Sequence, residues 1–105
     1  KIFSNYDYSE EGRKKNILNV IILAKFLDYK EYDVIISVVA PYRDLRESLK
    51  STNDVIEIYL HTAEIRGREN YFAENYEPPR ENFLDMNTTH KSEKESLDEI
   101  LNVYW

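Results

Sequence analysis

The chain has 105 residues, 42% of them apolar and 13% aromatic, with 14 Lys and Arg against 20 Asp and Glu for a formal net charge of −6. That is apolar content enough to bury about two-thirds of the unfolded surface of one small domain, which excludes disorder as the main state; the acidic balance, with no basic run longer than Arg13-Lys14-Lys15, argues against a dedicated nucleic-acid binder but leaves a single nucleotide open as a ligand. The absence of Cys excludes a disulfide scaffold, a thiolate nucleophile and Cys-based zinc, and His61 and His90 are too few and too far apart for a metal centre, so any chemistry falls to carboxylates, hydroxyls, Arg or Lys.

Residues 1–8 are rich in turn formers and predict a loop. Ser9 then suits a helix cap, Glu10 and Glu11 place negative charge in a first turn, and Ile17, Val20, Ile21, Ala24 and Leu27 recur at helical spacing, which predicts a helix over 9–29. Leu18, Ile22, Leu23 and Phe26 widen its apolar arc, so it is expected to touch both a sheet and a neighbouring helix. The β-branched run Asp33–Ala40 predicts a strand covered on both faces, closed by Pro41. A helix over about 43–50 and a second β-rich run at 55–60 complete the pattern of a right-handed βαβ crossover and a mainly parallel sheet. Residues 62–82 hold Gly67, Pro78 and Pro79 among alternating charges and aromatics, with no sustained period, and predict a long functional loop or lid. A short strand at 83–87 and a helix at 92–104 end the chain, the latter opened by the capping box Ser92-Glu93-Lys94-Glu95 and striped by Leu97, Ile100, Leu101 and Tyr104.

No apolar stretch approaches the roughly 18 residues that a membrane span needs, and the N-terminus lacks the basic and apolar regions of a secretory signal. A cytoplasmic protein with no membrane partner is expected. The chain begins at Lys1, and its only Met is Met86, so an upstream segment is expected to have been removed or left out.

Four groups of residues suggest chemistry. Arg13 and Asn16 project from one face near a helix N-terminus, where they could grip a phosphate or sulfate or simply clothe a solvated first turn. Pro41-Tyr42-Arg43 follows the carboxyl end of a predicted strand, the ligand edge of open α/β sheets, so Tyr42 could stack on a base and Arg43 bind phosphate. Arg66, Arg68, Tyr71, Phe72 and Tyr76 combine guanidinium groups and rings suited to covering a nucleotide, or are the scattered aromatics of a loop. Asp85, Asn87, Thr88, Thr89 and His90 could line a purine pocket, or form a polar turn before the last helix. No Ser-His-Asp set, paired catalytic carboxylates or metal cluster stands out, so no catalytic residue is assigned. There is no G-x-x-x-x-G-K-[ST], and two Gly cannot build a Gly-rich phosphate cradle.

The order Ser9-Glu10-Glu11-Gly12-Arg13-Lys14-Lys15-Asn16-Ile17, then Pro41-Tyr42-Arg43, then Tyr76-Glu77-Pro78-Pro79 ahead of Leu84-Asp85 and a final amphipathic helix, resembles the adenylylsulfate kinase family. The resemblance implies a three-layer αβα P-loop kinase fold with a mainly parallel sheet, of which 1–105 is the C-terminal part: a single partial domain carrying substrate binding and a lid at 62–82. It implies transfer of the γ-phosphate of ATP, with Mg²⁺, to the 3′-hydroxyl of adenosine 5′-phosphosulfate, a step of sulfate assimilation. The family's S-x-x-x-R-x-x-N element falls on Ser9, Arg13 and Asn16, and its S-P-[YF]-R element on Pro41, Tyr42 and Arg43, with Ala40 in place of the usual Ser. The lid aromatic that sandwiches adenine would be Phe72, the P-Y-E-x-P turn would be Tyr76, Glu77 and Pro79, and Arg66 or Arg68 would close over phosphates. A homodimer is compatible with this reading.

The lid is shorter than the family's and lacks its Lys-x-Phe-Thr-Gly stretch. The family's P-loop and Asp-Gly-Asp element would precede Lys1, and with them the groups that hold ATP and Mg²⁺, so this chain by itself is expected to be inactive. In the 2-3-1-4-5 strand order of such kinases, strand 34–39 has two strands of that preceding segment as neighbours. Either that segment supplies them, or 34–39 and 55–60 pair directly. Two other functions fit the same residues: a non-catalytic nucleotide-binding or regulatory module derived from a P-loop kinase, and a related small-molecule kinase with a different acceptor.

Overall fold

Ser9 opens the first helix, α1 (Glu10–Tyr29): in an extended conformation, it accepts the Gly12 N–H on its hydroxyl at 3.2 Å, and Glu10 and Glu11 follow in the first turn. The computed structural model describes residues 9–64 and 75–104. They fall into two units, one of residues 9–55 with 75–77 and the other of 56–64 with 78–104.

In the first unit, Ile17, Ile21 and Ala24 form the buried stripe of α1, joined by Gly12. The helix ends in two closing bonds, Glu31 N–H to Asp28 O at 2.9 Å and Tyr32 N–H to Leu27 O at 3.0 Å, with Glu31 in the left-handed region at φ 66°. The second helix, α2 (Arg43–Thr52), is tied to α1 start to start and end to end. Tyr42 donates its hydroxyl to Glu10 O, and Asn53 donates its amide to the Asp28 carboxylate at 2.7 Å, so the two helices run in the same sense.

The second unit is built on two parallel strands, β1 (Glu57–His61) and β2 (Phe83–Asn87), registered Glu57 to Phe83 through His61 to Asn87. Thr88 N–H extends the ladder by one bond, to His61 O at 2.8 Å. Met86 is its fully buried side chain, and Tyr59 packs edge-on against Phe83. The last helix, α3 (Glu93–Tyr104), begins with the reciprocal bonds expected of its capping box: Glu95 N–H to Ser92 Oγ at 3.1 Å and Ser92 N–H to Glu95 Oε1 at 3.2 Å. Its Leu97, Leu101 and Tyr104 are exposed.

Helices and a parallel pair of strands fit the α/β, P-loop kinase-like fold. The expected strand at 33–40 is the main departure. Among the described residues, 32–42 form no strand, and Val34, Ile35, Ile36, Val38 and Val39 are exposed. A strand is defined by hydrogen bonds to a neighbour, and β-branched composition alone cannot supply one. The direct pairing of 34–39 with 55–60 does not occur, and the βαβ crossover inferred across 33–60 goes with it. The partner of β1 is β2, the pair that the 2-3-1-4-5 order places side by side. Of the lid, only 62–64 and 75–82 are described, and the loop at 1–8 lies outside the described residues.

Candidate functional site

Ser9, Arg13, Asn16, Pro41, Tyr42, Arg43, Tyr76 and Glu77 all fall in the first unit. Ser9 spends its hydroxyl on the cap of α1. Arg13 and Asn16, three residues apart, are half-buried on one side of the first turns of α1, beside the buried Gly12 and Ile17. Tyr42 links this helix start to the 41–43 turn: its hydroxyl donates to Glu10 O at 3.3 Å and its ring lies 5.1 Å from the Lys14 ammonium. Lys14 also pairs with Glu10 at 3.0 Å; the hydrogen bond and charge of Glu10 hold its ammonium pKa above the ordinary lysine value.

The 41–43 turn is held from the other side by the chain at 75–77. Tyr42 has no side-chain cap to offer α2, and Glu77 supplies one: its Oε1 accepts the Arg43 N–H at 2.8 Å. The Glu77 N–H donates to Pro41 O at 2.9 Å. Arg46, a residue the sequence reading did not single out, donates Nη1 to Ala40 O at 2.7 Å and Nη2 to Glu77 O at 2.5 Å, with its guanidinium 5.3 Å from the Tyr76 ring. Its signal in the sequence is its place one turn into the helix that begins at Arg43, from which a long side chain leans back toward the N-terminus and so toward residue 40. Pro41, Tyr42, Arg43, Tyr76 and Glu77 therefore belong to one bonded network, joined to the start of α1 through Tyr42.

A shallow hollow along α1 is lined by Ser9, Glu10, Lys14, Leu18 and Ile22, among others; neither Arg13 nor Asn16 borders it, and the carboxylates of Glu10 and Glu11 oppose an anion there. Arg66, Arg68, Tyr71 and Phe72 lie outside the described residues. In the second unit, Asp85 pairs with His61 at 2.9 Å, and His90, at φ 60°, lies 3.5 Å from Glu64. Asn87 accepts the Thr89 N–H, and Thr89 Oγ1 accepts the Ala63 N–H, so these side chains stitch the turn after β2 to the end of β1. Among the described residues, no group of three His, Asp or Glu is placed to hold a metal, and no helix is long and apolar enough to cross a membrane.

The family model for adenylylsulphate kinase matches residues 1–86, a span that contains Ser9, Arg13, Asn16, Pro41, Tyr42, Arg43, Tyr76 and Glu77 and stops short of Asn87, Thr88, Thr89, His90 and α3. No curated protein and no solved structure gives a significant match. The family is one of kinases, nucleotide-binding transferases that use ATP. The match covers well over half of the sequence, and the chain belongs to the adenylylsulphate kinase family.

Proposed function

We propose that these residues form the acceptor side of a kinase that moves the γ-phosphate of ATP to the 3′-hydroxyl of adenosine 5′-phosphosulfate. Arg13, Asn16 and Arg43 would hold the anionic phosphosulfate, Tyr42 would place the nucleoside, and Phe72 with Arg66 or Arg68 would close over it. In the transfer, the 3′-oxygen forms a bond to the γ-phosphorus as the bond to the bridging oxygen of ADP breaks, and the hydroxyl proton leaves with solvent or a base. The observation that carries the reading is the tie from Tyr42 to Glu10, which joins the S-x-x-x-R-x-x-N helix start to the P-Y-R turn. The described residues do not fit Mg²⁺, so no step is assigned to it on this chain. ATP and Mg²⁺ would be held by the P-loop and Asp-Gly-Asp elements that the family resemblance places ahead of Lys1.

The test supplies the full-length protein with ATP, Mg²⁺ and adenosine 5′-phosphosulfate and follows the 3′-phosphorylated product. The expected result is preferential consumption of this acceptor, with the acceptor KM raised roughly tenfold or more in Arg13→Ala and Arg43→Ala. Faster phosphorylation of another nucleotide would replace the acceptor, and nucleotide binding without turnover would leave a non-catalytic module.

A further inference from the structure

We propose that Arg46 and Glu77 are positioning residues that latch the Pro41-Tyr42-Arg43 turn and so fix where Tyr42 and Arg43 meet an anionic nucleotide, an inference that rests on the acceptor reading above. The turn needs a latch. Ala40, just before it, stands at φ 42°, in the left-handed region that is unfavourable for a residue with a Cβ. Segment 32–42 forms no strand among the described residues that would hold it in place.

Three backbone groups around the turn, Ala40 O, Pro41 O and the Arg43 N–H, are taken by one of the two side chains or by the backbone of Glu77. Arg46 bridges Ala40 O and Glu77 O with the two arms of one planar fork, a geometry that a lysine ammonium cannot reproduce. The Tyr76 ring beside the guanidinium restricts the fork further. Glu77 grips the turn twice, by its N–H on Pro41 O and by its carboxylate on the Arg43 N–H. That second bond assigns the carboxylate its role. It puts a negative charge on an amide at the start of α2, which removes the amide as an anion donor, and a carboxylate aimed at a phosphosulfate would repel it. Glu77 thus acts through Arg43.

The experiment compares Arg46→Ala, Arg46→Lys, Glu77→Ala and Glu77→Gln in the full-length protein by steady-state kinetics and by the ¹H–¹⁵N resonance of Arg43. Both alanine variants should raise the KM for adenosine 5′-phosphosulfate roughly tenfold while the KM for ATP stays within about twofold. Arg46→Lys should behave like Arg46→Ala. Glu77→Gln keeps an oxygen that can accept from Arg43, so it should recover most of the loss, and it tests the latch even if an alanine variant fails to fold. The Arg43 amide proton should move upfield in Glu77→Ala. An unmoved Arg43 resonance in that variant, or an unchanged acceptor KM in both alanine variants with only a lowered Tm, would overturn the proposal. A wild-type protein that ignores adenosine 5′-phosphosulfate counts against the acceptor reading instead, and the amide resonance then decides the latch by itself.

Discussion

Glu31 stops α1 with a residue poorly suited to the task. The Schellman-type closure through Asp28 O and Leu27 O requires a left-handed residue, and Glu31 takes φ 66° with a Cβ in place. Glu31→Gly should therefore raise unfolding stability by about 0.5–1 kcal/mol, read as a higher midpoint in urea; an unchanged or lower midpoint would count against this account of the helix end. The sequence marks such positions only when Gly or Asn fills them. Asn75 and Asn82, also left-handed, fit that pattern, whereas Glu31, Ala40 and His90 do not. The same limit hid Arg46: a charged residue one turn into a helix looks solvated until the chain returning at 75–77 supplies its carbonyl partner.

Elements whose signals are local were legible. The cap at Ser9 and the capping box at Ser92 each depend on residues three positions apart, and both form as their spacing implies. Replacing Ser92 with Ala removes one acceptor from the first turn of α3 and should cost about 1 kcal/mol, visible as lower helicity and an earlier urea midpoint, with Glu95→Ala giving a smaller loss. The strand expected at 33–40 was not legible in this sense, because a strand depends on what lies beside it. β1 and β2 found each other across 62–82; Asp33–Ala40 has its composition but no ladder among the described residues. At the site, order and spacing indicated the P-Y-R and Tyr-Glu segments, while the way Glu77 contacts Arg43 could come only from the fold.

At the largest scale, exposed apolar surface stands out among the described residues. Ile35 is 95% exposed, and Val38 and Val39 on the same extended segment are about half exposed. Such a run, low in charge and rich in β-branched residues, is a template for intermolecular pairing. The 105-residue chain expressed by itself should bind an apolar dye and associate as its concentration rises. Ile35→Lys should reduce both effects in dye fluorescence and light scattering without changing the far-ultraviolet spectrum. Equal dye binding and association in the variant would place the sticky surface elsewhere, with the exposed Leu18, Ile22 and Phe26 of α1 next to be tested.

The return passage from Asn75 to Asn87 serves two masters in succession. Its Tyr76 and Glu77 are bolted to Pro41, Arg43 and Arg46 in the first unit, and its Phe83–Asn87 are zipped to β1 in the second. Spacing within β2 is therefore rationed: one residue inserted between Phe83 and Met86 would have to be absorbed by a bulge or would slip the ladder so that Met86 traded its buried place for an exposed one.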